Sequence, residues 1–178
     1  MRRILIAAAV LVAPVIAQDL PWDLIDRSPQ EPPNLGVLDT AGFAGPIALG
    51  SAAINAPFNC LGVNTYMNGM FLSGPFDPNV CISACMAQTA YNLGHNSPQQ
   101  QCRFVNAFVL SKNGAPQGWI CSASRSREDD VTKVVQYTQR WNAAYATNSG
   151  QWRGSYHYTI SDSVAFYNAA DPGPCQPA

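Results

Sequence analysis

Six side chains in this sequence have chemistry that depends on what they meet: Cys60, Cys81, Cys85, Cys102, Cys121 and Cys175. A thiol can bridge, ligate a metal or attack as a thiolate. No C-x-x-C pair is present, so the spacing disfavours zinc, and no metal site or cofactor is expected. An even number of cysteines following an apolar leader points to disulfides. With all six in bridges, no thiol remains as a nucleophile. Other catalytic signals are sparse. The sequence has neither a G-x-S-x-G elbow nor H-E-x-x-H, and its two histidines are His95 and His157. His157 alternates with Tyr156 and Tyr158, the pattern of an outward or hydrogen-bonded strand histidine. A spatial Ser-His-Asp arrangement stays open. No two carboxylates have the defined relation that glycoside cleavage requires. The expectation is a protein without catalytic residues, not an enzyme.

The start of the chain bears on the compartment. Arg2 and Arg3 precede an apolar run from Ile4 to Ile16, and Val15-Ile16-Ala17 supplies a cleavage site. This is the pattern of a signal peptide over 1–17. The run is too short for a comfortable membrane span, which disfavours the competing reading of an anchor. The expected location is therefore secreted and extracellular, with no membrane partner. Without Arg2 and Arg3 the chain carries eight basic and eleven acidic residues. No basic patch marks a nucleic-acid binder. Charged residues make up 12% of the chain, about half the roughly 25% of ordinary soluble domains. Such polar but weakly charged compositions are common where proteins meet polar polymers.

The elements that must position the cysteines can be read next. Residues 18–57 hold six prolines with scattered Gly and Ala and no sustained periodicity, so they read as an irregular extension. Leu35, Val37, Leu38, Phe43 and Ile47 are available to dock it. A folded domain is expected over 58–178. A strand is expected within 64–72. Asp77 and Pro78 form a helix start, the helix runs through Tyr91, and Gly94 is a stop signal. Cys81 and Cys85, four apart, share one helical face. Residues 102–110 read as a strand with Cys102, Phe104, Asn106, Phe108 and Leu110 on one face, and Arg103, Val105, Ala107 and Val109 on the other. A turn at Ser111-Lys112-Asn113-Gly114 leads into a partner strand holding Trp119 and Cys121 on one face. A last strand is expected over 155–160. Between them, Arg125, Arg127, Glu128, Asp129, Asp130 and Lys133 mark 125–135 as a charged, exposed insertion, starting a short helix that ends near Trp141.

Two thiols on one helical face can each reach a different strand of a hairpin beneath them. This reduces the fifteen pairings of six cysteines to a few. The nested one joins Cys81 to Cys121 and Cys85 to Cys102, leaving Cys60–Cys175 to tie the ends. Here the sequence resembles the apple, or PAN, family. The resemblance rests on helical Cys81-x-x-x-Cys85, then Cys102-Arg-Phe-Val-Asn, then Cys121-Ser. It implies an α+β fold in which one helix is linked by two disulfides to a curved antiparallel sheet. Larger members join their terminal strands by a third bridge, which Cys60 and Cys175 would match. The stretches Cys85–Leu93, Cys102–Leu110 and Tyr145–Gly154 are also similar to secreted proteins of filamentous fungi with an apple-like cysteine framework. The charged insertion departs from that pattern.

Recognition needs less machinery than catalysis: flat aromatic faces and a few polar donors. Trp141, Tyr145, Trp152 and Arg153 flank an Asn148-Ser149-Gly150 turn late in the chain. They are the candidate binding residues, with core packing as the alternative for each aromatic. Arg153, the only cation after Arg140, is alternatively a structural anchor on a tryptophan or a carboxylate. Asn106, expected on the inward face with Cys102, reads as a buried hydrogen-bonding group. The function expected is a non-enzymatic module recognising glycan or protein at a cell wall or other extracellular surface. An effector or structural wall protein without a separable ligand is the alternative, and a small secreted hydrolase the weaker third.

Overall fold

Asp77 and Pro78 start the helix in the expected way. In the computed structural model, the Asp77 carboxylate accepts a hydrogen bond from Asn79 N at 3.0 Å, and α2 runs Pro78–Gly94. Gly94 is its last residue, but the left-handed conformation that turns the chain away falls on Asn96, at φ 56°. The structure describes residues 20, 22–35, 42–54, 66–97, 101–126, 146–148 and 150–169. Among these, the architecture is α+β and mostly antiparallel sheet. The remaining elements are α1 (Trp22–Ile25), β1 (Phe43–Gly50), β2 (Ala52–Ile54), β3 (Tyr66–Leu72), β4 (Gln101–Lys112), β5 (Ala115–Ser126), β6 (Ala146–Asn148), β7 (Gln151–Arg153) and β8 (Tyr156–Asn168). The main sheet has the order β1-β8-β4-β5-β3, with β7 added to β8, and β2 pairs with β6.

The central hairpin is set by its turn. Asn113 and Gly114 both take positive φ, 50° and 80°, the two-residue geometry whose twist matches paired strands. On the front face of this hairpin lies α2. Cys81, Ile82 and Cys85 bury against Leu72, Val105, Ala107, Trp119, Cys121 and Ala123. Disulfides join Cys81 to Cys121 and Cys85 to Cys102. Their Cα–Cα separations, 5.5 and 5.3 Å, lie in the ordinary range for a bridge. Trp119 is buried beside Cys121, as expected. Cys60 and Cys175 lie outside the described residues.

The predicted faces of β4 need correcting. Cys102 shares the front face with Val105, Ala107 and Val109, not with Phe104 and Asn106. Pairing to β5 slips between Cys102 and Phe104, and one extra residue in a strand reverses the alternation beyond it. The cause is local. Cys102 N donates to the Thr89 hydroxyl on α2 at 2.9 Å rather than to the ladder. Strict alternation would have turned either Cys102 or the whole apolar set of the strand the wrong way.

Asn106 therefore lies on the back face, where it is fully buried. Its Oδ1 accepts from Ile54 N at 2.9 Å, and its Nδ2 donates to Val164 O at 2.8 Å and Ser163 Oγ at 3.1 Å. One amide thus ties β2 to the irregular middle of β8, where the register to β4 slips and Asp162 takes φ 54°. The structural hydrogen-bonding role expected for it is the role found, on the other face.

The extension expected to be irregular is corrected for its described parts. Residues 43–50 form the edge strand β1, paired along β8, and 52–54 form β2. The sheet thus includes residues from both sides of the boundary expected after residue 57. Leu20, Leu24 and Ala53 close the back of the sheet over Phe71, Phe108, Leu110, Ile120, Tyr158 and Ile160. Burial against a sheet overrides weak local periodicity. The insertion expected from Arg125 begins later, because Arg125 and Ser126 still pair with β4. Residues 127–135, and the short helix expected toward Trp141, lie outside the described residues. The last strand is longer than expected and reaches Asn168.

Three outcomes are expected. Replacing both Cys85 and Cys102 by Ala opens a loop of sequence separation 17 and should cost about 3 kcal/mol of stability in urea unfolding. Non-reducing peptide mapping of the native chain should show Cys81 joined to Cys121. Asn106→Leu strands the Ile54 N–H and the Val164 carbonyl in the core and should cost about 2–4 kcal/mol. An Asn106→Leu protein as stable as the native one would remove the amide from the list of determinants.

Candidate functional site

With α2 on the front of the sheet and the N-terminal segment on its back, the exposed aromatic groups among the described residues stand near the end of α2 and at the ends of the sheet's strands. The β7–β8 hairpin is one such end. Trp152 pairs across the strands with His157, and Arg153 with Tyr156. Side chains of neighbouring strand residues point to opposite faces, so Trp152 and Arg153 do not share a surface. Trp152 is 67% exposed, and its ring stacks on His157 with centroids 4.7 Å apart and planes at 28°. The His157 backbone N–H is held by Asn113 Oδ1 at 2.8 Å, and Asn113 N donates to His157 O at 2.7 Å. The tip of the β4–β5 hairpin thus clamps the platform from below. The half-buried His157 ring is engaged as the under-layer of an exposed tryptophan, where the alternating pattern predicts an outward or hydrogen-bonded histidine.

Arg153 works on the other face. Its guanidinium makes a two-pronged ion pair with Asp26, 2.6 Å from Nη1 to Oδ1 and 2.7 Å from Nη2 to Oδ2. It also lies 5.1 Å from the Trp22 ring centroid, and Trp22 packs edge-on against Tyr158 at 5.2 Å. Of the two readings open for Arg153, the anchor on a carboxylate and a tryptophan is the one its contacts describe. The neighbouring Leu20 N donates to Gln151 Oε1 at 2.8 Å. Leu20 and residues 22–30 therefore form a strap, fastened at one end to β7.

The other end of the strap is fastened to β3. Gln30 N donates to Phe71 O at 2.9 Å and Ser73 N to Gln30 O at 2.8 Å, which covers part of that edge. Leu24 lands on Gly69, where any side chain would collide with Leu24 and the Tyr66 hydroxyl. Desolvation of its hydroxyl end, and then the negative charge of Asp23, hold the Tyr66 phenol above its usual pKa.

Sequence reasoning brought Trp152 and Arg153 together as one contact set, and the structure separates them. Trp141 and Tyr145 lie outside the described residues. Sequence reasoning missed the strap. The signal was present in Trp22-Asp23-Leu24-Ile25, a short apolar cluster after a proline with an acid in its first turn. Tyr156, which belongs to the same late aromatic cluster but is not among the four contact candidates, is exposed, and the Lys112 ammonium lies 3.5 Å from its ring centroid. Among the described residues, no group of three or more His, Cys, Asp or Glu side chains is placed to hold a metal ion.

The Arg153–Asp26 pair is solvent-accessible, so its removal should cost little globally, about 0.5–1 kcal/mol. Its local effect should be larger. In Arg153→Ala, amide hydrogen exchange over 22–26 should accelerate while exchange in α2 is unchanged, and high salt should reproduce part of that acceleration.

No family model, curated protein or solved structure matches this chain, so the functional reading rests on the residues and their geometry.

Proposed function

We propose that this chain is a secreted, non-enzymatic recognition module of apple/PAN-like design whose ligand is an extracellular glycan. The observation that carries the reading is Trp152, two-thirds exposed and stacked on His157. A large apolar ring facing water costs hydration free energy that core packing would recover. Here it is held flat by a second ring and by a clamped hairpin, which limits the ordering cost of binding. Flat, preorganised aromatic faces with polar neighbours suit the apolar face of a sugar ring. The His157 ring supplies polar nitrogens beside it.

The distribution of the other exposed hydrophobics favours glycan over protein. Among the described residues, Tyr66, Tyr91, Leu93, Trp152 and Tyr156 are the large exposed ones, four of the five aromatic. Trp152 and Tyr156 stand on opposite faces of their hairpin, and Tyr91 and Leu93 on the distant end of α2. A protein partner would be better served by one contiguous apolar patch. The low charge and the leader at 1–17 support an extracellular setting, and two disulfides in the core suit an oxidising compartment. A hydrolase reading has less support, because His157 is spent on stacking at a hairpin instead of facing an acid across a cleft.

The test is a glycan array, with pull-down by wall polysaccharides, on the purified native protein and on Trp152→Ala. The native protein should bind a defined subset of glycans. Trp152→Ala should lose at least about tenfold in affinity, while its stability stays within about 0.5 kcal/mol of native, the range for surface substitutions. Binding unchanged by the substitution, or no glycan bound at all, would overturn the reading. A protein recovered in the polysaccharide's place would favour the partner-protein alternative.

A further inference from the structure

Beneath the strap, between its residues 25–29 and the back of the sheet, lies an open cavity of about 220 Å³. Its floor is formed by Phe71, Leu110 and Tyr158 of the back core, of which Phe71 and Tyr158 keep a little exposed surface, and Ser28 and Gln117 add polar groups to its walls. Its rim carries Arg27 and Lys112 and no acid. The acids of the strap are engaged elsewhere: Asp26 on Arg153, Glu31 on the Ser73 hydroxyl, and Asp23 beside Tyr66. Among the described residues, neither Arg27 nor Lys112 is ion-paired. The lining therefore holds two positive charges in a chain whose net charge is −1. Lys112 is partly buried, and the Tyr156 ring under its ammonium orients it.

From this arrangement we propose a second binding site, for a small aromatic carboxylate. Two unpaired cations at the mouth select an anion, and a carboxylate matches both the fork of an arginine and the point charge of a lysine. The Phe71 and Tyr158 rings in the floor suit an aromatic ring better than a sugar acid, whose hydroxyls would lose water against them. The volume limits the occupant to about one ring, since pockets for larger ligands span roughly 300–1,000 Å³. An oligosaccharide does not fit, and the site lies on the opposite face of the sheet from Trp152. The inference is thus independent of the glycan reading.

The probes are benzoate, its neutral isostere benzamide, and galacturonate, each titrated into ¹⁵N-labelled native protein. Benzoate should saturate in the low-millimolar range and shift the amide signals of Ile25–Ser28, Leu110 and Tyr158. Benzamide should bind at least about tenfold more weakly, because charge-assisted hydrogen bonds are roughly twice as strong as neutral ones. Galacturonate should be weaker than benzoate. Arg27→Gln and Lys112→Gln should each weaken benzoate several-fold without altering the rest of the spectrum, and neither should change glycan binding at Trp152. Equal binding of benzoate and benzamide would overturn the charge argument, and tighter binding of galacturonate the argument from the floor's rings. Absence of shifts at these residues would overturn the site itself.

Discussion

The double cross-link between α2 and the central hairpin is the constraint on which the rest of the structure depends. Cys81 and Cys85 lie about one helical turn apart, and each is bonded to a different strand. A single bridge would leave the helix free to pivot about it. Two bridges to neighbouring strands fix both its position and its direction across the sheet. Cys102 must then face forward, and β4 absorbs the mismatch with its apolar alternation by a slipped register held on Thr89. The front face is closed by these bonds and by the side chains packed between them.

Closing the front commits the apolar side chains of the opposite face to another cover. That cover is built from sequence far from the hairpin. Leu20 and residues 22–30 cross the back as a strap, and β2 is held there by the Asn106 amide. The strap depends on small concessions: no side chain at Gly69, an ion pair at Asp26, and a borrowed edge along β3. Because both faces are occupied, exposed chemistry is left to the sheet's ends and to gaps under the strap. The Trp152–His157 stack occupies one such end and the Arg27–Lys112 cavity one such gap. Loops and hairpin ends on a rigid scaffold are where recognition groups commonly sit.

Several features were legible because their causes are local. Asp77 and Pro78 act on the backbone groups within a turn of themselves, so the helix start was readable. Asn113-Gly114 takes positive φ because of its own two residues. Two cysteines four apart on a helix share a face whatever surrounds them. In the candidate site, Trp152 is legible as one of several aromatics beside an Asn148-Ser149-Gly150 turn, and the structure leaves it exposed. The pairing of Arg153 with it was misjudged because residue spacing in a short strand says nothing about which partner waits on each face.

By itself, then, the sequence determined the start of the helix, the central hairpin and the shared face of Cys81 and Cys85, and it narrowed the cysteine pairings to a few that include Cys81–Cys121 with Cys85–Cys102. Each follows from interactions within a few residues or from the reach of a disulfide. Only the tertiary structure decided that β1 and β2 join the fold, that Asn106 turns to the back, and that Arg153 anchors a strap 127 residues away. Those outcomes depend on long-range competition for buried surface and for hydrogen-bond partners. A proline-rich segment with weak periodicity becomes ordered when an uncovered sheet face offers it more burial than its own propensity withholds.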